Sequence, residues 1–133
     1  MLKDIDFKKV IDTAIAIIPE QEGVEMVWNA YLINTGDSVI QSVLVNSKGY
    51  GEIEEREVKT SSLRQFFECI EGGSCVKVEE IRDELLALNN EFWVSFSKDG
   101  YLFDKKYVFV TDSLREEHLI EVPVLNKKGV LIK

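Results

Sequence analysis

Two cysteines, Cys69 and Cys75, and one histidine, His118, are the only thiol and imidazole groups in the 133-residue chain. A protein zinc site takes three or four such ligands at short spacing, so none can be assembled from them. A cysteine nucleophile needs a base, and no local motif pairs His118 with either cysteine. The expected reading is a surface histidine and two free thiols. Proline and glycine are also scarce, at two and eight residues, so no segment is low in complexity. The apolar stretch Ala14–Ile18 is too short for a signal core, and residues 1–12 carry three lysines and three aspartates. No run approaches the roughly 20 apolar residues of a membrane-spanning helix. Together with the few cysteines, this leads us to expect a cytoplasmic protein.

Charge of one sign dominates. The net charge is −8, from 24 acidic and 16 basic side chains. Such a field repels phosphate backbones and anionic bilayers, so neither nucleic acid nor membrane is an expected partner. Ser47-Lys48-Gly49 and Gly49-Tyr50-Gly51 lack the order and spacing of a phosphate-binding loop. Glu54, Glu55 and Glu57 lack the loop glycine that calcium sites use, and read as a solvated edge. With 24 acids, carboxylate pairs arise by chance and point to no glycosidase. No cofactor and no catalytic residue is expected.

What is present is period-two apolar patterning. Residues 12–18 read as a strand closed by a turn at Pro19–Gly23. Residues 26–34 read as a second, with Trp28, Ala30 and Leu32 inward. Thr35-Gly36-Asp37 is a turn signal, and residues 38–46 read as a third strand hairpinned to the second. Lys48–Gly51 reads as a loop, and Glu54–Lys59 as an edge strand or exposed ribbon. Residues 62–70 fit a short helix and a strand equally. Leu63, Phe66, Phe67 and Ile70 have helical spacing, yet Gly72-Gly73 and the alternation at Val76 and Val78 suit a hairpin. Residues 80–88 read as a short helix. Residues 91–97, with Phe92, Val94 and Phe96 inward, turn at Lys98-Asp99-Gly100 and return over 101–110. Val122–Leu125 and Val130–Ile132 read as a last small hairpin.

This makes one domain, 1–133, with a mobile N-terminal segment, 1–10, and a C-terminal apolar hairpin or docking segment, 119–133. Seven or so short strands with turns every 8–12 residues suggest a mainly β, antiparallel two-sheet sandwich with one or two short helices; an α+β fold is the alternative. Over residues 12–110 the strand spacing resembles immunoglobulin-like and fibronectin type III domains. The two cysteines are too close in sequence to form the inter-sheet bridge of antibody domains. The chain is also similar to short bacterial proteins, some labelled phenylalanyl-tRNA synthetase α-subunits. The core of that enzyme needs a far larger ATP site, and an acidic chain suits tRNA badly, so the resemblance implies no aminoacylation here.

A sandwich without clustered chemistry works through its surfaces. The expected function is a non-catalytic protein-interaction or structural module, with a homodimer among its forms. A small-molecule or carbohydrate binder, or an enzyme with an unrecognised site, is the alternative. Candidate interface residues are Trp93, on the face opposite Phe92 and Phe96, and the apolar C-terminal residues Val122, Val124, Leu125, Val130, Leu131 and Ile132. Candidate ligand contacts are Tyr50, between two glycines, and the basic pair Lys59 and Arg64 around the Thr60–Ser62 hydroxyls; Tyr101 is a further aromatic.

Overall fold

The computed structural model describes Val10 and residues 12–133. In chain order the strands are β1 (Thr13–Glu22), β2 (Glu25–Asn34), β3 (Ile40–Ile53), β4 (Arg56–Lys59), β5 (Leu63–Ile70), β6 (Ser74–Ile81), β7 (Asn89–Lys98), β8 (Tyr101–Phe109), β9 (Ile120–Val122) and β10 (Lys127–Ile132). They build two antiparallel sheets, so the chain is a mainly β sandwich. Sheet I runs β6-β2-β1-β10-β9; sheet II runs β4-β3-β7-β8, with β5 also on β3. The helical content among the described residues is two 3₁₀ turns, Asp83–Leu85 and Glu116–His118. No helix of the described residues is long and apolar enough to cross a membrane.

Hairpin turns follow their residues. Asp99-Gly100 joins β7 to β8 with both residues at positive φ, the geometry that matches strand twist. The 91–110 hairpin is therefore as read from sequence. The β1–β2 turn is the two-residue Gly23-Val24 rather than Pro19–Gly23, because Pro19 pairs with Trp28 inside the ladder. Proline fits there because β10 covers β1 only at Ile15–Ile17, which leaves the Pro19 nitrogen side unpaired. Lys48–Gly51 is likewise strand, inside β3. Glu54-Glu55 turns β3 into β4, an exposed edge ribbon as expected.

Further local expectations need correction, and the reading left open at 62–70 is decided. The turn at 35–37 does not hairpin the second and third strands; β2 lies in sheet I and β3 in sheet II. Residues 63–70 are a strand, and Gly72-Gly73 carries the chain from sheet II to sheet I instead of closing a hairpin. Both crossovers lie at one end of the sandwich, tied by buried Asn34. Its amide donates to the Ser38 and Ile70 carbonyls at 2.8 and 3.0 Å and accepts from the Gly36 N–H. Residues 80–88 hold one 3₁₀ turn, because Ile81 completes β6 and buries its side chain in the core.

The core lies between the sheets. Ile15, Ile17, Ala30 and Leu32 of sheet I face Val43, Val45, Phe92, Val94, Phe96, Tyr107 and Phe109 of sheet II. Trp28 packs against them, as expected from the β2 parity. Both faces of β1 are buried. Ala16 and Ile18 point outward into a second small cluster with Ile33 and Val122, which Leu125 and Leu131 help cover. Of the N-terminal segment 1–10, only Val10 is described, and it is buried in the main core; residues 1–9 lie outside the described residues.

Candidate interaction face

Strand alternation puts Phe92, Val94 and Phe96 into the core and Trp93 on the outer face of sheet II. The registers then define rows across that face. One row runs Arg64, Asn46, Trp93, Lys106; the next runs Phe66, Leu44, Ser95, Asp104. Trp93 is 45% exposed, Phe66 64% and Leu102 49%. Exposed aromatic and branched side chains thus stand on three different strands of one sheet face, interspersed with polar and charged residues.

Polar contacts fix its centre. The Trp93 indole N–H donates to Asp104 Oδ1, and Lys106 Nζ sits 4.9 Å from the Trp93 ring centroid. An ammonium over an exposed indole contributes about 0.5–1 kcal/mol. The ring is thereby held against β8. Toward the β4 end, Lys48 pairs with Glu91 at 3.7 Å, and the Tyr50 phenol donates to the same carboxylate at 3.4 Å. Burial raises the Tyr50 phenol pKa, and the Glu91 charge adds to it, so the proton stays on the phenol. Arg64 makes no ion pair among the described residues.

Four sequence candidates thus meet on one face: Trp93, Arg64, Tyr50 and Lys59. Tyr50 and Lys59 are direct cross-strand partners. The C-terminal candidates are elsewhere, in sheet I. Val122 and Val130 are buried within the chain, Leu125, Leu131 and Ile132 are half-buried, and Val124 is exposed at a turn. Trp93 and the C-terminal segment therefore do not share a surface, because β10 docks on β1 of its own sheet. Sequence reasoning missed Phe66, Leu44, Leu102 and Lys106. Reading 63–70 as a strand would have placed Phe66 opposite Phe67 and on this face.

The remaining candidate groups stand apart. Cys69, on β5, and Cys75, on β6, are both free and lie in different sheets. Burial pushes the Cys75 thiol pKa up, with Glu20 adding to it, which makes a poor nucleophile. His118 is exposed, and its Nδ1–H donates to the Ser113 carbonyl at 2.9 Å. Among the described residues no three Cys, His, Asp or Glu side chains form a metal-binding group. No family model, curated protein or solved structure matches this chain.

Proposed function

We propose that the protein is a non-catalytic interaction module, cytoplasmic, that works through the outer face of sheet II, with a second copy of the chain as its partner. The observation that carries this is the row Arg64–Asn46–Trp93–Lys106, with exposed Phe66 in the next row and exposed Leu102 farther along the same face. Exposed aromatic anchors beside cationic groups are the composition of interface centres. The connectivity supports an immunoglobulin-like reading as well. Strands 1, 2 and 6 share one sheet and strands 3, 7 and 8 the other, as A, B, E and C, F, G do in that fold.

The charge pattern favours a second copy over an unrelated protein. Beyond Tyr50 and Lys59 the same sheet extends into an exposed acidic ribbon. Glu52 and Glu57 sit directly opposite each other, with Glu54 and Glu55 at the tip. Like charges in opposite positions repel. Two sheets laid face to face with strands antiparallel bring the ribbon of each over Arg64 and Lys48 of the other, an isologous arrangement.

Light scattering at micromolar concentration tests this. A dimer that weakens with salt is expected. Trp93→Ala with Phe66→Ala should abolish it. Arg64→Glu should abolish it too, and adding Glu57→Arg should restore it. A wild type that stays monomeric rejects self-association. A dimer unaffected by these substitutions places the interface elsewhere.

A second reading, a small-molecule or carbohydrate binder, is favoured by the shallow groove that Tyr50 and Lys59 form with Asn89 and Thr111. Sugar-induced quenching of tyrosine emission, lost in Tyr50→Phe, would favour it over the first.

A further inference from the structure

The β3 edge of sheet II is served by two strands with a break between them. β5 pairs with β3 as far as Ser47, and β4 begins at Tyr50. Thr60 bridges the break: the Gly49 N–H donates to Thr60 Oγ1 at 2.8 Å, and the Thr60 N–H donates to the Gly49 carbonyl at 2.9 Å. A crevice of about 320 Å³ opens here between the sheets, bounded on the far side by β6 and the Asp83–Leu85 turn. That volume matches the lower end of small-ligand sites.

Glu79 of β6 faces into this crevice. A register irregularity in the β2–β6 ladder between Ala30 and Tyr31 pairs Glu79 with Ala30, a core residue, and so turns its carboxyl inward. Burial raises its pKa, and a hydrogen bond from the Ser47 hydroxyl offsets part of that. Among the described residues it has no ion-pair partner. The nearby cations are committed elsewhere, Lys48 to Glu91 and Arg82 to Glu84. The other acids in the lining are Glu80, next along the strand, and Glu84, which pairs with Arg82. The apolar side chains of Leu63, Ile81 and Leu85 complete the walls. An inward carboxylate without a cation is costly unless a counter-ion arrives, and apolar walls beside it suit a methylene stem.

We propose that this crevice binds the ammonium end of an alkylamine, with Glu79 as its counter-ion and the Leu63, Ile81 and Leu85 side chains around its stem. The amine is supplied by a free diamine or by a lysine side chain of another protein. The ammonium donates to the Glu79 carboxylate; no covalent step is involved. Cation binding selects the ionised form, so affinity rises as pH increases through the raised carboxyl pKa of Glu79.

Amide-resolved NMR titration tests it, with 1,5-diaminopentane and N-acetyl-lysine methylamide as probes and 1-pentanol as the neutral control. Saturable shifts at Ser47, Gly49, Ser61 and Leu85 are expected with a dissociation constant on the order of 1 mM, in keeping with one partly desolvated ion pair. Tighter binding of the diamine identifies a free amine as the source, and tighter binding of the lysine derivative identifies a protein. Glu79→Gln, with an unchanged amide spectrum in β1 and β2, should weaken binding at least about tenfold. Should that variant not fold, wild-type binding that fails to strengthen from about pH 4 to pH 7 overturns the proposal in its place. It is also overturned if neither probe shifts these amides, if 1-pentanol shifts them equally, or if Glu79→Gln binds as well as wild type. Trp93→Ala should leave the titration unchanged, so the outcome is independent of the sheet II face.

Discussion

The Thr13 hydroxyl and the Tyr107 phenol hydrogen-bond at 2.5 Å inside the core, joining β1 of sheet I to β8 of sheet II. Both residues are buried, and their side chains hydrogen-bond to each other. Tyr107→Phe leaves the Thr13 hydroxyl buried and unpaired, which costs about 1–3 kcal/mol. Adding Thr13→Val removes the second polar group and should recover much of that loss. Urea unfolding of the two single variants and the double variant measures the coupling; additive losses would mean that the contact carries no coupling energy.

The same pair sets the alkaline limit of stability. Burial raises the Tyr107 phenol above its ordinary value near 10, and the Thr13 hydroxyl offsets part of the rise. Tyr31 moves the same way, through burial and its hydrogen bond to Glu20. Above pH 10 the unfolded chain loses these protons while the folded chain keeps them. The unfolded state then binds fewer protons, so stability falls as pH rises. Phenolate absorbance on alkaline titration should show at least these two tyrosines ionising only with unfolding. Early ionisation of all four would contradict this.

Gly72 and Gly73 are adjacent and should respond differently to alanine. A Cβ on Gly72 would lie 2.5 Å from the Asp37 carbonyl carbon, where the two inter-sheet crossovers touch. Backbone cannot yield there, and overpacking costs about 1–3 kcal/mol or more. Gly73 has φ +69° and open space around it, so alanine there meets only the left-handed penalty of about 1–2 kcal/mol. Denaturant midpoints should therefore fall further for Gly72→Ala than for Gly73→Ala.

These crossovers also mark where the sequence stopped being readable. Period-two patterning identified the strands and the inward set Phe92, Val94 and Phe96, because alternation is a local consequence of the pleat. It carries no information on which sheet a strand joins. Thr35-Gly36-Asp37 and Gly72-Gly73 look like hairpin turns, yet each changes sheet, since Asn34 and the close Gly72–Asp37 contact hold them at one corner. Asn29 and Asn34 obscured the β2 face for a similar reason. Asn29 belongs to an outward polar knot and Asn34 to the crossover. For the candidate face, Trp93 was legible from its parity. Phe66 was hidden because helical and strand spacing coincide over Leu63–Ile70. The Glu79 crevice depends on a strand break and a register irregularity, neither of which leaves a local pattern.

Glu20 anchors the C-terminal hairpin to β1. Its carboxylate accepts from the Tyr31 phenol at 2.5 Å, from Asn29 Nδ2 at 2.8 Å and from Lys127. Burial alone would raise its pKa. The hydrogen bonds from Lys127, Tyr31 and Asn29 outweigh that and hold it below the usual carboxylate value. A depressed pKa means stability present above the unfolded value near 4.5 and lost as pH falls through the folded one. Glu20→Gln should cost about 1–3 kcal/mol at neutral pH and flatten the acid limb of the stability profile. An unchanged acid limb would show that Glu20 titrates alike in both states.

Truncation after Glu121 bears on how the C-terminal segment acts. β10 pairs with β1 at Ile15, Ala16 and Ile17. Val130 is buried in the main core, Ile132 packs against that core, and Leu131 and Val122 pack on the outer cluster. Removing the segment would uncover the outer face of β1, take Val130 and Ile132 from the main core and leave β1 backbone groups unpaired on one side. Each buried aliphatic side chain lost this way is worth about 1.5–3 kcal/mol, and three or four of them approach the whole stability of a domain. The truncated chain should therefore lose its cooperative unfolding transition by circular dichroism instead of remaining a folded monomer. Trp93→Ala, on the other sheet, should keep that transition at nearly the wild-type midpoint while acting on association. A truncated protein that stays folded and loses only its partner would return the interface to the C-terminal segment and take it away from sheet II.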